Sequence, residues 1–397
     1  MSMIYLDNAA TTPVDEEVLA AMLPYYRERY GNPSGVYRLC AEARQAVEEA
    51  RETIAGTIGC EPEEIYFTSG GTESDNWAIC GAVHGTREKR GHIITTTTEH
   101  HGVLYPCRLL EEQGYVVSWL GVDETGRISL RRLEEAIREE TFLMSIHYAN
   151  NEIGTIQPIR EIGKLAKRYG ICFHTDAVQA YGHLPICVKE DNVTMLSASA
   201  HKFNGPKGIG FLYAKKGKAP APLLLGGGQE RGGRSGTENV AAIVGMAKAA
   251  KLAHEQMRER SVHVAMLRDY MIERLCHEIP YCRLNGSRSH RLDGNCNVSF
   301  QFVEGGALLI LLDEAGICAS SGSACSSRSE KQSHVLAALG VPECMARGTL
   351  RLTIGWQNTM EEMEYAVESI KKGVNRLRRY SGQYEDLVME RKNASPQ

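Results

Sequence analysis

ICFHTDAVQA at residues 171–180 and VTMLSASAHK at residues 193–202 are two β-rich runs, and each carries a charge where its strand-like part ends. The first closes its apolar stretch on Asp176 and the second on Lys202. β-Branched and aromatic residues suit a pleated strand, and a charge at its close marks the place where the chain leaves the core. Three further runs share this form: EIYFTSG from Glu64, HIITTTTEH from His92 and FLMSIHYAN from Phe142. Helical stretches separate them, among them Ala41 to Ile58, Leu133 to Arg138 and Ile159 to Tyr169. In the first of these, Ala43, Ala46, Val47, Ala50 and Ile54 recur at helical spacing with Glu and Arg between them. Strand–helix alternation predicts an α/β fold with a mainly parallel sheet covered by helices.

Around Ala241 to Leu275 the pattern becomes one long helical tract. From about Asn295 a second alternation begins: NVSFQFV, a helix from Gly306, ICASSGS, another helix, and TLRLTIG. A last helix is expected from Thr359 to Arg378, and the polar tail from about Tyr380 is expected to be loose. The expected division is a large domain over 15–260 and a smaller α/β domain built from 1–14 and 261–397.

The chain of 397 residues is long enough for two substantial cores. It is 43% hydrophobic and 24% charged, with a formal net charge of -4, so no global basic footprint suggests nucleic acid. No apolar run is long enough to span a bilayer; Ala307 to Leu312 ends at Asp313. The opening MSMIYLDNAATTP lacks the basic start and apolar stretch of a signal peptide, which leads to an expected cytoplasmic location. Twelve cysteines are scattered through the elements with no C-x-x-C pair, so neither a disulfide framework nor a structural zinc site is expected.

In open α/β sheets, ligands sit beyond the carboxyl ends of strands. Polar residues gather at those ends here: Ser69-Gly70-Gly71-Thr72, His100, Asn150-Asn151-Glu152, Asp176, and Ser199-Ala200-His201-Lys202. The glycines let backbone approach closely, and a helix opening there offers free N–H groups to a phosphate, although a glycine-rich turn with a Thr cap reads equally well. Lys202 lies among small residues, as a Schiff-base lysine requires. Asp176, at the end of a buried run, needs a partner or serves as a helix cap. Cys325 lies in Ser320-Ser321-Gly322-Ser323-Ala324-Cys325-Ser326-Ser327, which carries too little apolar area to be core and reads as a mobile, exposed loop.

Together these residues resemble the fold-type I pyridoxal-5′-phosphate (PLP) enzymes, and more narrowly the cysteine desulfurases of the NifS/IscS kind. The resemblance runs from YLDNAATTP at Tyr5 to RLTIG at Arg351, through FTSGGTESDN, NNEIGTIQPI, HTDAVQA, SAHKFNGPKGIG, GGGQERGGRSGTENV and SSGSACSS. It implies a large domain with a seven-stranded, mainly parallel sheet, a smaller C-terminal domain, and a homodimer. It implies that Lys202 bonds the cofactor, Asp176 binds the pyridine nitrogen, Gln179 the phenolic oxygen, and His100 stacks on the ring. Gly71, Thr72, Ser199 and His201 would hold the phosphate, with Thr237 reaching it from a second subunit. Asn151 would lie near ring and substrate, while Asn32 and Arg351 would grip the carboxylate of L-cysteine. Arg suits that task because its fork matches a carboxylate in two hydrogen bonds.

On this reading Lys202 moves protons, His100 exchanges a proton with a thiol, and Cys325 takes the sulfur as a persulfide, leaving alanine. A sulfur-acceptor protein, such as an iron–sulfur scaffold or a tRNA-thiolation protein, would receive it. The chain departs from the family pattern after Cys325, where SSRSEKQSHVL is more charged than usual, and at GWQNT after Arg351. His101 stands where proline is usual. A selenocysteine lyase, a lyase without persulfide transfer, or an aminotransferase shares the fold; the products separate these from a desulfurase.

Overall fold

A computed structural model describes residues 3–84, 91–321 and 332–387. Its strands are β1 (Ile4–Tyr5), β2 (Ile65–Thr68), β3 (His92–Thr96), β4 (Val116–Leu120), β5 (Thr141–Ser145), β6 (Cys172–Asp176), β7 (Met195–Ser199), β8 (Gly210–Ala214), β9 (Cys282–Leu284), β10 (Asn295–Phe300), β11 (Ile317–Cys318) and β12 (Thr349–Thr353). Seven of them form one sheet in the order β2-β8-β7-β6-β5-β3-β4. Only β8 runs against its neighbours; the remaining pairings are parallel. A second sheet, β12-β10-β9, is antiparallel, and β1 pairs with β11 in parallel.

The five β-rich runs are all strands of the large sheet. β4 and β8 escaped the reading: VVSWL lies in a mixed context, and GFLYA is hidden behind the glycines of GPKGIG. β6, β7 and β8 are buried along nearly their whole length, as strands covered on both faces must be. The helix Ile159–Tyr169 has the expected bounds and stops at Gly170, whose φ of 69° is left-handed backbone that suits glycine at a helix end.

Apolar burial forms two main cores. One runs from Val18 through the faces of the large sheet to Ala253 on the long helix. The other joins Ile4 and Leu6 to Val264, Leu267, Met271, Val298, Leu350 and Val374. The single helix Val240–Glu278 contributes to both, with its first half in the large core and its second half in the small one. The expectation of a loose tail fails at its start: residues 382–387 are helical, and Tyr384 packs against Phe302 at 5.6 Å with the Arg378 guanidinium over its ring at 5.4 Å. Aromatic packing, not polarity, decides there.

The loop after β8 is tied to the sheet by a buried charge pair. Arg51 meets both oxygens of Glu230 at 2.8 and 2.9 Å, donates to Ile65 O, and lies over the Phe67 ring. Glu230 also accepts from Phe67 N. Both side chains are 3% exposed, so removing one strands the other in apolar surroundings. We expect Glu230→Ala to cost about 3 kcal/mol, read as a lower urea midpoint at unchanged slope.

Candidate active site

One cavity of about 350 Å³ lies beyond the carboxyl ends of β5, β6 and β7, where the fold class puts its ligands. Its wall gathers Gly71, Thr72, His100, Asn151, Asp176, Gln179, Ser199, His201, Lys202 and Arg351. These come from distant parts of the chain, and the sheet brings them together.

At one end the helix Gly71–His84 opens toward the cavity. A Cβ on Gly71 would stand 2.5 Å from Val178 Cγ2, so the close approach of this turn to the segment after β6 requires glycine. Ser199 is buried beside it, and His201 Nδ1 meets Thr11 Oγ1 at 3.1 Å. Burial first, then the Lys202 and Lys207 charges, push the His201 imidazole down to about 4, so it stays neutral at working pH.

Asp176 closes β6 and accepts from Val178 N at 2.9 Å. Burial raises its carboxyl, while the His100 imidazole and that N–H oppose the rise. His100 caps the helix His101–Glu112, its Nδ1 accepting from Gly102 N at 3.0 Å. Asp75, His100 and Asp176 each place one ligand-type atom within 4.8 Å of the others. Such a trio also has the spacing of a metal site, which the absence of ligand-like spacing in the sequence had not suggested.

Lys202 donates to Ala9 O at 2.5 Å and to Ala10 O at 2.8 Å. Gln179 Nε2 donates to the same Ala9 carbonyl at 3.0 Å. Arg351 is 1% exposed, pairs with Asp7 at 2.8 Å and donates to Asn151 O at 3.2 Å. Its buried Nε has no hydrogen-bond partner among the described residues, so the guanidinium keeps a donor to spare.

Two expected residues lie elsewhere in this single chain. Asn32 is exposed and accepts from Ser34 N at 3.0 Å. Thr237 is exposed and lines a separate depression with Ser69, Arg234 and Asn239. Cys325 lies outside the described residues; on either side of its segment, Ser333 bonds a wall residue and Ser320 bonds Asp7, the partner of Arg351. Ser320 Oγ donates to Asp7 at 2.9 Å, and Ser333 Oγ donates to Glu152 Oε2 at 2.6 Å. His334 is part of the wall, with its ring 5.1 Å from that of His101.

Sequence reasoning assigned no role to Asp75, Glu99 or His147. His147 lies two residues past the end of β5, and the helical period brings Asp75 one turn beyond Gly71. Glu99 is 1% exposed, accepts from His147 N and Thr96 Oγ1, and pairs with His147 Nδ1 at 3.0 Å.

The chain belongs to the class-V aminotransferase family, whose pattern it matches over residues 4–366. It is 52% identical over 378 residues to the cysteine desulfurase IscS of Methanosarcina thermophila, covering 95% of this chain and 93% of that one. A cysteine desulfurase IscS of Dictyoglomus turgidum is 48% identical over 390 residues, 98% of this chain and 99% of its own. Among solved structures, a NifS-like protein superposes with a TM-score of 0.88 at 39% identity, covering 93% of this chain and 98% of that one. A structure described as SspA in complex with cysteine gives 0.80 at 40% identity over 90% of this chain and 100% of its own.

This family uses PLP, and the cavity fits that cofactor on its own terms. A lysine, a buried carboxylate, a tight glycine at a helix opening and two hydroxyl or imidazole donors line one slot of sufficient volume.

The His147–Glu99 pair gives a pH test. Burial on its own lowers the His147 imidazole, but the Glu99 carboxylate outweighs it and holds His147 above the ordinary 6.5. A raised folded value contributes fully below 6.5 and is lost as pH rises through that higher value. Wild-type stability should therefore fall more steeply between about pH 6 and 9 than that of Glu99→Gln, measured by urea midpoints. Parallel slopes for the two proteins would refute the pairing.

Proposed function

We infer that this chain is a PLP-dependent cysteine desulfurase that takes sulfur from L-cysteine, releases L-alanine and carries the sulfur on Cys325. The observation that supports it best is the cavity in which Lys202, Asp176, His100 and Arg351 meet. Relatives alike over nearly the whole chain bear the same activity in their names.

Bound in this cavity, PLP supplies an electron sink. Lys202 would hold it and serve as the base that moves the substrate proton, its Nζ being placed beside the N-terminal segment. Asp176 would meet the ring nitrogen, His100 would cover the ring, and Gln179 would meet the phenolic oxygen. Gly71, Thr72, Ser199 and His201 would hold the phosphate, and Asn151 would bound the substrate side. Arg351, on the cavity wall, would meet the amino-acid carboxylate, and Asp7 and Asn151 O hold the guanidinium for that task.

The Cys325 thiolate attacks the sulfur of cysteine. An S–S bond forms to Cys325 as the C–S bond of the substrate breaks, and a proton completes alanine at the released carbon. The cysteine persulfide then passes its outer sulfur to an acceptor protein serving iron–sulfur cluster assembly or tRNA thiolation. The residues before and after the stretch with Cys325 bond Asp7, beside Arg351, and Glu152 on the cavity wall, which supports access of that thiol to the site.

We further propose a homodimer. Leu223, Leu224 and Leu225 are exposed, and Leu224 bridges to Arg234 in the same loop that presents Thr237. An apolar strip beside a residue expected to complete a partner's site is suited to an interface between copies. Asn32, exposed in the single chain, would reach substrate only in such an assembly or after the 31–37 segment moves.

The test pairs spectra with products. With cysteine and a dithiol reductant, the wild type should yield alanine and sulfide in equal amounts. Cys325→Ser should keep the visible absorbance and its change on adding cysteine, yet make no alanine. Lys202→Ala should lose turnover by about 1,000-fold or more. Arg351→Leu should lower kcat/KM about 100-fold. Pyruvate in place of alanine, or full activity without Cys325, would overturn the assignment.

A further inference from the structure

The cavity holds a carboxyl group that none of the roles above uses. Asp75 lies one turn into the helix Gly71–His84, is 1% exposed, and lines the cavity floor beside Asp176. Among the described residues no hydrogen bond of normal geometry reaches its oxygens; the Ser197 hydroxyl, which also meets His174, is a weak donor beside it. His174 Nε2 lies 3.6 Å from Oδ1. That imidazole is no counter-ion: burial pushes it down to about 4, and its nitrogens meet Ser145 Oγ at 2.9 Å and Ser197 Oγ at 3.0 Å.

The groups that face Asp75 come from every side. β6 contributes Asp176 and His174, β7 contributes Ser197, and the turn before the helix His101–Glu112 contributes Glu99 and His100. Cys107 lies further along that helix. Two of these neighbours, Asp176 and Glu99, are acids. An ionised carboxylate without strong donors in such a place is untenable, and two close carboxyls in a dry site share one charge. Asp176 accepts a well-formed N–H from Val178, whereas Asp75 has only the weak Ser197 hydroxyl among the described residues, so the charge settles on Asp176 and the proton on Asp75.

We propose that Asp75 is a positioning residue of the cofactor site: an uncharged carboxyl that fills the space beside Asp176 and His100 and confines the negative charge of the pair to Asp176. The proposal rests on the PLP reading of the cavity. It explains how a carboxyl one turn beyond the phosphate-binding end of the helix avoids repelling that phosphate. Burial, followed by the Asp176 charge, raises the Asp75 carboxyl well above the usual range, with Ser197 opposing weakly, in keeping with this placement.

The sign of the pH dependence distinguishes this from a plain structural role. A carboxyl whose folded value is raised takes up a proton on folding, so it costs stability increasingly as pH rises above its unfolded value near 4. Asp75→Asn keeps the shape and removes that cost. In melts of the holoenzymes at about pH 5.5 and 8.5, the Asn variant should gain on the wild type by about 4 °C between the two values. An equal difference at both pH values, or one of opposite sign, overturns the proposal by showing Asp75 ionised.

The positioning role is read separately. Asp75→Ala should lower kcat about 30-fold and loosen the cofactor, seen as loss of visible absorbance on dialysis, and Asp75→Asn should recover at least about tenfold of the loss in kcat. An Asn variant as poor as the Ala variant would show that a charge is required and would sink the idea. The melts do not depend on turnover, so a failure of the desulfurase reading would show in the products and leave the melting result standing.

Discussion

The six residues from Asp7 to Thr12 join the two cores across the cavity, and the site depends on them. Asp7 pairs with Arg351 from the small domain and accepts from Ser320. The Ala9 and Ala10 carbonyls accept from Lys202, and Ala9 O also accepts from Gln179. Thr11 meets His201, and Thr12 donates to the His201 carbonyl through both its N–H and its hydroxyl. Four groups expected to touch cofactor or substrate, Arg351, Lys202, Gln179 and His201, are thus referred to one short segment that turns at Asn8–Ala10. Its apolar start, Ile4 and Leu6, is buried in the small core. A segment anchored in that way sets the distance between the lysine on the large domain and the arginine on the small one.

A second set of bonds crosses the same boundary from the other side. The Glu152 carbonyl accepts from both Asn295 and Asn297, and Arg291 holds the turn through the Asn295 side chain. Glu152 itself is buried against Ser333, next to the segment of Cys325. Buried polar groups of this kind are costly unless each has a partner, and once satisfied they specify one arrangement. The cavity is therefore walled by groups whose positions are fixed by backbone bonds more than by packing.

The lie of the sheet was legible because its β-rich runs close on polar residues: Asp176 ends β6, and His100 and Lys202 follow β3 and β7. That boundary is a local signal. β8 was not legible because its apolar residues follow a glycine-rich turn and its reversed direction depends on its neighbours. The shared cavity follows from strand order, which brings Asp176 and Lys202 onto adjacent strands, and no local pattern reports strand order. The same limit hid His147 and Asp75. Each looks ordinary in its own helix or strand and becomes unusual only when the sheet sets it against another acid or base. Arg351 was found by resemblance alone; its partner Asp7 lies 344 residues away, and nothing nearby in the chain announces the pair.

Charge balance explains why so many of these groups must be neutral or paired. The cavity takes an anionic phosphate at one end and a carboxylate at the other, and its fixed cations are few. Yet its wall and floor hold Asp75, Glu152 and Asp176, with Glu99 and Asp7 just behind. If all were ionised and unpaired, neither anion would bind. Asp7 is matched by Arg351 and Glu99 by His147. Burial raises the Glu152 carboxyl, against the pull of the Ser333 hydroxyl, and raises Asp75 further. Burial raises Asp176 as well, but the His100 and His147 imidazoles and the Val178 N–H oppose that rise, so it is the acid of this cluster with the most help in keeping a charge. Burial and pairing, applied unevenly to neighbouring carboxyls, are how a crowded acidic wall remains compatible with anionic ligands.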